Sequence, residues 1–178
     1  MKHYLYHWVP HDMEGDTLYP LNQLQSMYPK LYAEKFGKYI GREEITKLVL
    51  PTLGCLWNDV LHFTAVHPKV LKNALIAAGD NRKPKVQCYE IDPELLDAKN
   101  TIVFLYKESD LLTSMNSDNV TAYNPSEIRK YSELPQVTLD YFKESYEKYN
   151  REPLWLHRVP HILYKGSLNI KDLPIIEV

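Results

Sequence analysis

The apolar residues of this chain come in short runs, and prolines, glycines and polar pairs between the runs limit the length of each predicted element. No segment approaches the roughly 20 apolar residues that a membrane-spanning helix needs. Runs with strand-like and with helical spacing both occur, which predicts a mixed fold. No repeat, linker or low-complexity tract divides the 178 residues. The sequence therefore predicts one α+β domain over residues 1–178, with small, mainly antiparallel sheets around a cleft and flanking helices.

Strands are predicted where short apolar runs end at turn-forming residues. The first covers residues 3–8 and ends before Pro10, which cannot continue a strand ladder. Two more are predicted over residues 86–91 and 101–106. The end of the chain, residues 154–178, is predicted to form short strands joined by turns.

Helices are predicted where apolar residues recur every three or four positions. Residues 21–28 show this spacing, and a second helix is expected to begin at Pro29. A third helix covers residues 70–78, and a fourth covers about 137–149. Residues 109–120 are polar and have no periodicity, so we expect a mobile surface loop there.

Charge and cysteine content limit the class of protein. A formal net charge of −2 provides no long-range field that would attract nucleic acid. Cys55 and Cys88 are too few for a disulfide framework, and buried free thiols are expected. The N-terminus lacks the apolar segment of a signal peptide. We therefore expect a cytoplasmic protein without a membrane partner, with secretion independent of a signal peptide as the alternative.

Four of the seven histidines lie in two similar segments near the ends of the chain. Residues 7–11 are HWVPH and residues 157–161 are HRVPH. The two histidines within one extended segment would be about 13 Å apart, too far to hold one metal ion. A metal site is therefore not favoured, and histidines bonded to the backbone at strand ends are the simpler expectation.

A second polar cluster interrupts the most apolar part of the chain. Trp57 lies in this stretch next to the polar residues Asn58, Asp59 and His62, and burying these three without partners would cost about 1–3 kcal/mol each. Backbone, water or a ligand must therefore satisfy them. The pattern fits a strand lining a cleft and also an ordinary half-exposed strand. A Cys55–His62 nucleophile is a further alternative.

The segment after the first strand contains Tyr19 and Asn22. One interpretation is that Tyr19 stacks on a planar ligand and Asn22 binds an amide group. The other is that Tyr19 covers the core and Asn22 helps to begin a helix. The sequence leaves both open.

Three short segments resemble the ADP-ribosyltransferase-like fold, in particular DNA-modifying toxins and RNA 2′-phosphotransferases. Tyr6-His7 resembles the end of the opening strand of that fold, which carries a histidine. Residues 89–96 (YEIDPELL) resemble a middle strand and turn, and residues 161–168 (HILYKGSL) resemble a late strand and turn.

This resemblance implies an NAD⁺-binding cleft between two small sheets. His7 would then contact a ribose, and Tyr19 or Trp57 would stack on nicotinamide. The late-strand position departs from the family pattern, because His161 occupies the place of a glutamate. Histidine can bond a ribose hydroxyl, but it cannot supply the same negative charge opposite a developing cation.

Two hypotheses follow from these observations. The first is a transferase that binds NAD⁺ or another nucleotide-like small molecule through histidines from both chain ends. Its catalytic residues would be His7 and His161, and its other ligand contacts would be Tyr19, Asn22, Trp57, Asn58, His62 and Arg158. Arg158 would bind a phosphate with its planar guanidinium group. The second hypothesis is a non-catalytic protein-interaction domain with structural histidines. The sequence does not indicate a protein or nucleic-acid target.

Overall fold

Two antiparallel sheets that meet edge to edge form the frame of this protein. The computed structural model describes residues 2–11, 14–82, 85–106 and 116–178. The first sheet has the strand order β11 (Ile175–Glu177), β6 (Gln87–Ile91), β1 (Leu5–Trp8). The second has the order β5 (Leu61–Phe63), β9 (His161–Tyr164), β7 (Thr101–Phe104), β8 (Val120–Ala122).

A backbone bridge joins the two sheets. The amide of Tyr6 on β1 donates to the carbonyl of Thr64, 2.8 Å away, just after β5. The amide of Thr64 donates back to the carbonyl of Tyr6 at 3.2 Å. The bridge places β1, from the start of the chain, beside β5 and its neighbour β9, from the end.

The main core fills the space between the sheets. Leu5 and Ile91 of the first sheet and Phe63 and Ile162 of the second are fully buried in one cluster. Alternate residues of each strand point to the same side, so burying these residues fixes which side chains face the opposite way.

Two helices pack firmly, and two do not. α3 (Pro68–Ala78) buries Leu71 and Leu75 against Phe142 of α4 (Gln136–Glu147). In contrast, α1 (Leu21–Met27) and α2 (Pro29–Phe36) contain no fully buried residue. These two helices therefore form a loosely packed cover over the junction of the sheets.

The remaining strands form two small ladders. β2 (Thr17–Leu18) pairs with β10 (Leu168–Asn169), and β3 (Val49–Leu50) pairs with β4 (Cys55–Leu56). All strand pairs within the described ranges are antiparallel. The predicted α+β class, with small antiparallel sheets and flanking helices, is confirmed.

Two of the predicted elements need correction. Most of the predicted loop 109–120 lies outside the described residues, but its end is ordered differently from the prediction. Residues 117–119 form a 3₁₀ turn, and Val120 begins β8 by pairing with Phe104. Likewise, residues 155–158 form a turn rather than a strand. Neither feature could be predicted from local sequence patterns. Val120 forms a strand because it pairs with the distant β7, and residues 155–158 form none because they pair with no strand.

Candidate functional site

A cavity of about 390 Å³ lies where β1, β5 and β9 meet, beneath α1 and α2. Its wall is mostly apolar and aromatic, and it also contains histidines from three different strands. Its lining includes His7, Tyr19, Leu24, Tyr28, Leu31, Lys35, Lys38, Trp57, Asn58, His62 and His161. A concave, apolar site with a few converging polar groups is typical of small-molecule binding.

The bridge between the sheets brings the three histidines together. His7 lies on β1, next to the bridging Tyr6. His62 lies on β5, and His161 begins the neighbouring strand β9. The ring centroids of His62 and His161 are 6.0 Å apart. Residues from both ends of the chain thus line one cavity.

All three rings are neutral near pH 7. Burial lowers the pKa of His7 to about 4, that of His62 to about 3 and that of His161 to about 4. The positive charge of Lys38 lowers the pKa of His7 and His62 further. The cavity therefore presents neutral imidazoles, which accept or donate hydrogen bonds without bringing charge.

Backbone carbonyls fix the tautomers of two of these rings. Nδ1 of His7 donates to the carbonyl of Trp8 at 2.7 Å, and Nε2 of His62 donates to the carbonyl of Trp57 at 3.0 Å. In a neutral ring the other nitrogen then carries a lone pair. Nδ1 of His161 is buried and has no hydrogen-bond partner among the residues that the structure describes.

Asn58 is the most unusual polar residue of the cavity wall. It lies in the 3₁₀ turn of residues 57–59 and is only 2% exposed. Within the described part of the chain, neither its amide nitrogen nor its amide oxygen has a hydrogen-bond partner. Buried polar groups are nearly always paired, so this one needs an explanation.

The neighbouring Asp59 holds the turn in place. One carboxylate oxygen accepts from the amide of Leu56 at 2.8 Å, and the other accepts from the Asn22 side chain at 2.7 Å. The first bond closes the turn, and the second fastens α1 to it. The backbone around Asn58 is thus well anchored although its side chain is unpaired.

Aromatic rings surround the histidines. Trp57 lies 4.6 Å from His62 and 5.8 Å from His161, measured between ring centroids. Tyr19 contributes another ring to the cavity wall. Such rings provide flat apolar surfaces on which a planar ligand can stack.

Six of the eight predicted site residues line this cavity. They are His7, Tyr19, Trp57, Asn58, His62 and His161. Asn22 does not, because its amide is used to hold Asp59. Arg158 does not either, because it lies with a φ of 60° in the turn before β9. Its predicted role in binding phosphate at this cavity is therefore not supported.

The residues that α1 and α2 contribute to the cavity wall were not predicted from the sequence. Leu24 of α1 and Tyr28 and Leu31 at α2 line the cavity, together with Lys35 and Lys38. The signal was present in the sequence as an apolar helical face, but periodicity alone does not tell a core face from a cavity wall.

The two HxVPH segments are not structurally equivalent. The first histidine of the N-terminal segment, His7, lines the cavity, whereas His11 is exposed. In the C-terminal segment the last histidine, His161, lines the cavity. His157 instead packs on Tyr141, with ring centroids 4.1 Å apart. The two segments are therefore similar in sequence, but each places a different one of its histidines at the cavity.

Neither a Cys55–His62 nucleophile nor a metal site gains support from the structure. Burial raises the pKa of the Cys55 thiol, and the thiol is not among the groups that line the cavity. Across residues 2–11, 14–82, 85–106 and 116–178, no cluster of histidine, cysteine or acidic side chains is arranged to hold a metal ion. No helix among these residues is long and apolar enough to span a membrane.

Comparison with known proteins does not identify a family. No family model, no curated protein and no solved structure matches the chain. The resemblance to the ADP-ribosyltransferase-like fold therefore stays a prediction from three short segments.

Proposed function

We propose that this protein binds NAD⁺ or a related nucleotide in the cavity between its sheets, as a transferase of the ADP-ribosyltransferase-like class. One observation carries the proposal: His7 and His161, from opposite ends of the chain, line the same cavity. A nucleotide cleft requires this convergence, whereas an interaction domain with structural histidines gives no reason for it.

The wall of the cavity fits the parts of such a ligand. Trp57 and Tyr19 offer rings for stacking a planar base. Lys35 and Lys38 line the same cavity, and both are at least partly exposed. They place positive charge where the phosphates of a bound nucleotide would reach solvent. These lysines take the phosphate-binding role that was predicted for Arg158 from the sequence.

The histidines have roles that follow from their neutral state. His7 donates through Nδ1 to Trp8, which leaves Nε2 to accept a hydrogen bond from a ribose hydroxyl. A pKa of about 4 makes His161 a weak proton acceptor at neutral pH. We therefore assign it hydrogen bonding to a hydroxyl group rather than full proton abstraction. It does not replace the charge of a glutamate.

A specific observation favours the second candidate, a non-catalytic protein-interaction domain. His7 and His62 both bond backbone carbonyls, as structural histidines do. Under that candidate, removing a histidine lowers stability and changes no ligand response. A ligand-binding assay therefore separates the two.

The test is a thermal-shift series with NAD⁺, ADP-ribose and nicotinamide on the intact chain. A ligand at 100 times its Kd should stabilise the fold by about 2.7 kcal/mol. We expect a shift with NAD⁺ or ADP-ribose that His7→Ala and His161→Ala abolish.

The matched control is His157→Ala, because His157 belongs to the same sequence pattern but packs on Tyr141 outside the cavity wall. This variant should unfold at a lower temperature and keep the ligand shift. An unchanged melting temperature with all three ligands would reject the nucleotide-cleft proposal in favour of the interaction domain.

The proposal includes a cytoplasmic location. Cys55 and Cys88 are both free thiols, as is usual in a reducing compartment.

A further inference from the structure

Asn58 is the residue of the cavity wall whose donor and acceptor are both unpaired among the described residues, whereas His161 leaves only Nδ1 unpaired. His7 and His62 each bond a backbone carbonyl, whereas the Asn58 amide has no partner in the described part of the chain. Leaving a buried donor and acceptor unpaired costs about 1–3 kcal/mol for each group. A folded protein retains such a group where an ordered water or a ligand completes its hydrogen bonds, and the position of Asn58 in the cavity wall favours a ligand.

We propose that Asn58 determines which ligand the cavity accepts, by pairing with a neutral planar ring whose edge carries a donor beside an acceptor. This inference rests on the proposed function, because it concerns the same cavity. It adds the chemical identity of the group that the cavity recognises.

The carboxamide of Asn58 presents one acceptor and one donor side by side. A primary carboxamide on an aromatic ring matches this pair, and so does the N6/N7 edge of adenine. A carboxylate does not match this pair, because it offers only acceptors. One of its negative oxygens would face the amide oxygen, which carries a partial negative charge.

The histidines strengthen this selection. His7, His62 and His161 are neutral because burial lowers the pKa of each ring. They therefore supply no positive charge to offset the burial of an anion. The charge of Lys38 acts on His7 and His62, but the Lys38 side chain is exposed at the edge of the cavity, where solvent screens it. A neutral ring edge is favoured in the interior, and charge is tolerated only near solvent.

The route to Asn58 passes beneath α1. Both amide atoms of Asn58 are closed to solvent, and α1 is fastened to the adjoining turn through the Asn22–Asp59 bond. Because α1 has no fully buried residue, it can shift at small cost in packing. A ligand that reaches Asn58 does so from the cavity as this cover moves.

The experiment measures Kd by calorimetry for two matched pairs of small probes. Nicotinamide and nicotinate differ only in the amide, and adenine and purine differ only in the 6-amino group, the donor that Asn58 would read. We expect the amide or the amine to bind at least tenfold more tightly than its partner. The pair that shows the difference identifies the carboxamide or the adenine as the bound group.

Variants locate the effect at Asn58. In Asn58→Leu, the preferred probe should bind at least tenfold more weakly, while the melting temperature without ligand stays equal or rises. The control is Asn119→Leu, since Asn119 is 1% exposed but does not line the cavity. It should leave the Kd unchanged. If Asn58→Leu fails to fold, Asn58→Ala takes its place, with the same expected loss of binding.

The outcomes separate this inference from the proposed function. If NAD⁺ binds while neither probe pair is discriminated, or if Asn58→Leu binds as well as wild type, the inference is wrong and the proposed function stands. If a probe pair is discriminated but NAD⁺ does not bind, the inference stands and the proposed function is wrong. Failure of NAD⁺ and of all four probes to bind overturns both.

Discussion

Asn58 in the cavity wall and Asp80 after α3 are equally buried, each at 2% exposure, but the chain treats them in opposite ways. The Asp80 carboxylate accepts three bonds from Arg82, from the backbone amide at 2.9 Å, from Nε at 2.9 Å and from a terminal nitrogen at 2.7 Å. The Asn58 amide accepts and donates none among the described residues.

The same difference extends to the surroundings of the two residues. Around Asp80, α3 and α4 pack through fully buried side chains such as Leu71 and Phe142. Around Asn58, α1 and α2 cover a cavity without burying any side chain completely. One region is closely packed, although Ser145 Oγ and Tyr146 OH within it lack hydrogen-bond partners among the described residues, and the other keeps open space beside its unpaired polar groups.

The largest expected effect is a loss of stability in mild acid that comes from the cavity region. The pKa values of His7, His62 and His161 are about 4, 3 and 4 in the folded protein and 6.5 when exposed. Because the folded values are lowered, the unfolded chain binds more protons, and stability falls as pH drops from about 6.5 towards 4. Each ring contributes at most about 1.4 kcal/mol per pH unit, so the three together contribute at most about 4 kcal/mol per unit.

Urea unfolding at pH 7, 6 and 5 measures this loss. His62→Phe should reduce the slope by roughly a quarter, because it removes one of four such rings; burial also lowers the pKa of His157, outside the cavity wall, to about 4. Equal unfolding free energies at the three pH values would show that the rings are not buried as neutral groups.

The second prediction concerns the unfolding free energy lost when a leucine is shortened in the packed helix α3 and in the cover helix α1. Leu71→Ala should lower the unfolding free energy by about 2–5 kcal/mol, because the residue is fully buried. Leu24→Ala on α1 should cost under about 1 kcal/mol, because Leu24 is only partly buried. Chemical denaturation of both variants measures the ratio. A larger loss for Leu24→Ala would mean that α1 is part of the core rather than a cover.

The smallest expected effect concerns Asp80. The hydrogen bonds from Arg82 lower the pKa of Asp80 to about 2, from 3.8. A lowered carboxyl pKa gives stability that is present above about pH 4 and is lost as pH falls towards 2. Asp80→Asn should therefore cost about 1–2 kcal/mol at pH 7.

The difference between Asp80→Asn and wild type should shrink as pH falls towards 2, where about half of the Asp80 carboxyl groups are protonated in the folded protein. Thermal unfolding across this range provides the measurement. If the deficit of the variant is the same at pH 2 as at pH 7, the ionised carboxylate is not the source of the stabilisation.

The sequence by itself determined the α+β class and most of the longer elements. Short apolar runs gave β1 and β6 nearly at their observed bounds, and helical spacing gave α4, since periodicity reports which residues one face must bury. It also singled out Asn58, His62 and the terminal histidines, because polar groups in apolar or strand-end settings need partners wherever the chain places them.

Only the tertiary structure decided which of these residues meet. The bridge between Tyr6 and Thr64 joins the two sheets and brings His7 to the same cavity as His161. The tertiary structure also pairs Asn22 with Asp59 and leaves Arg158 in a turn outside the cavity wall. Contacts between distant segments depend on strand pairing and packing across the whole chain, which the spacing of residues within one segment does not encode.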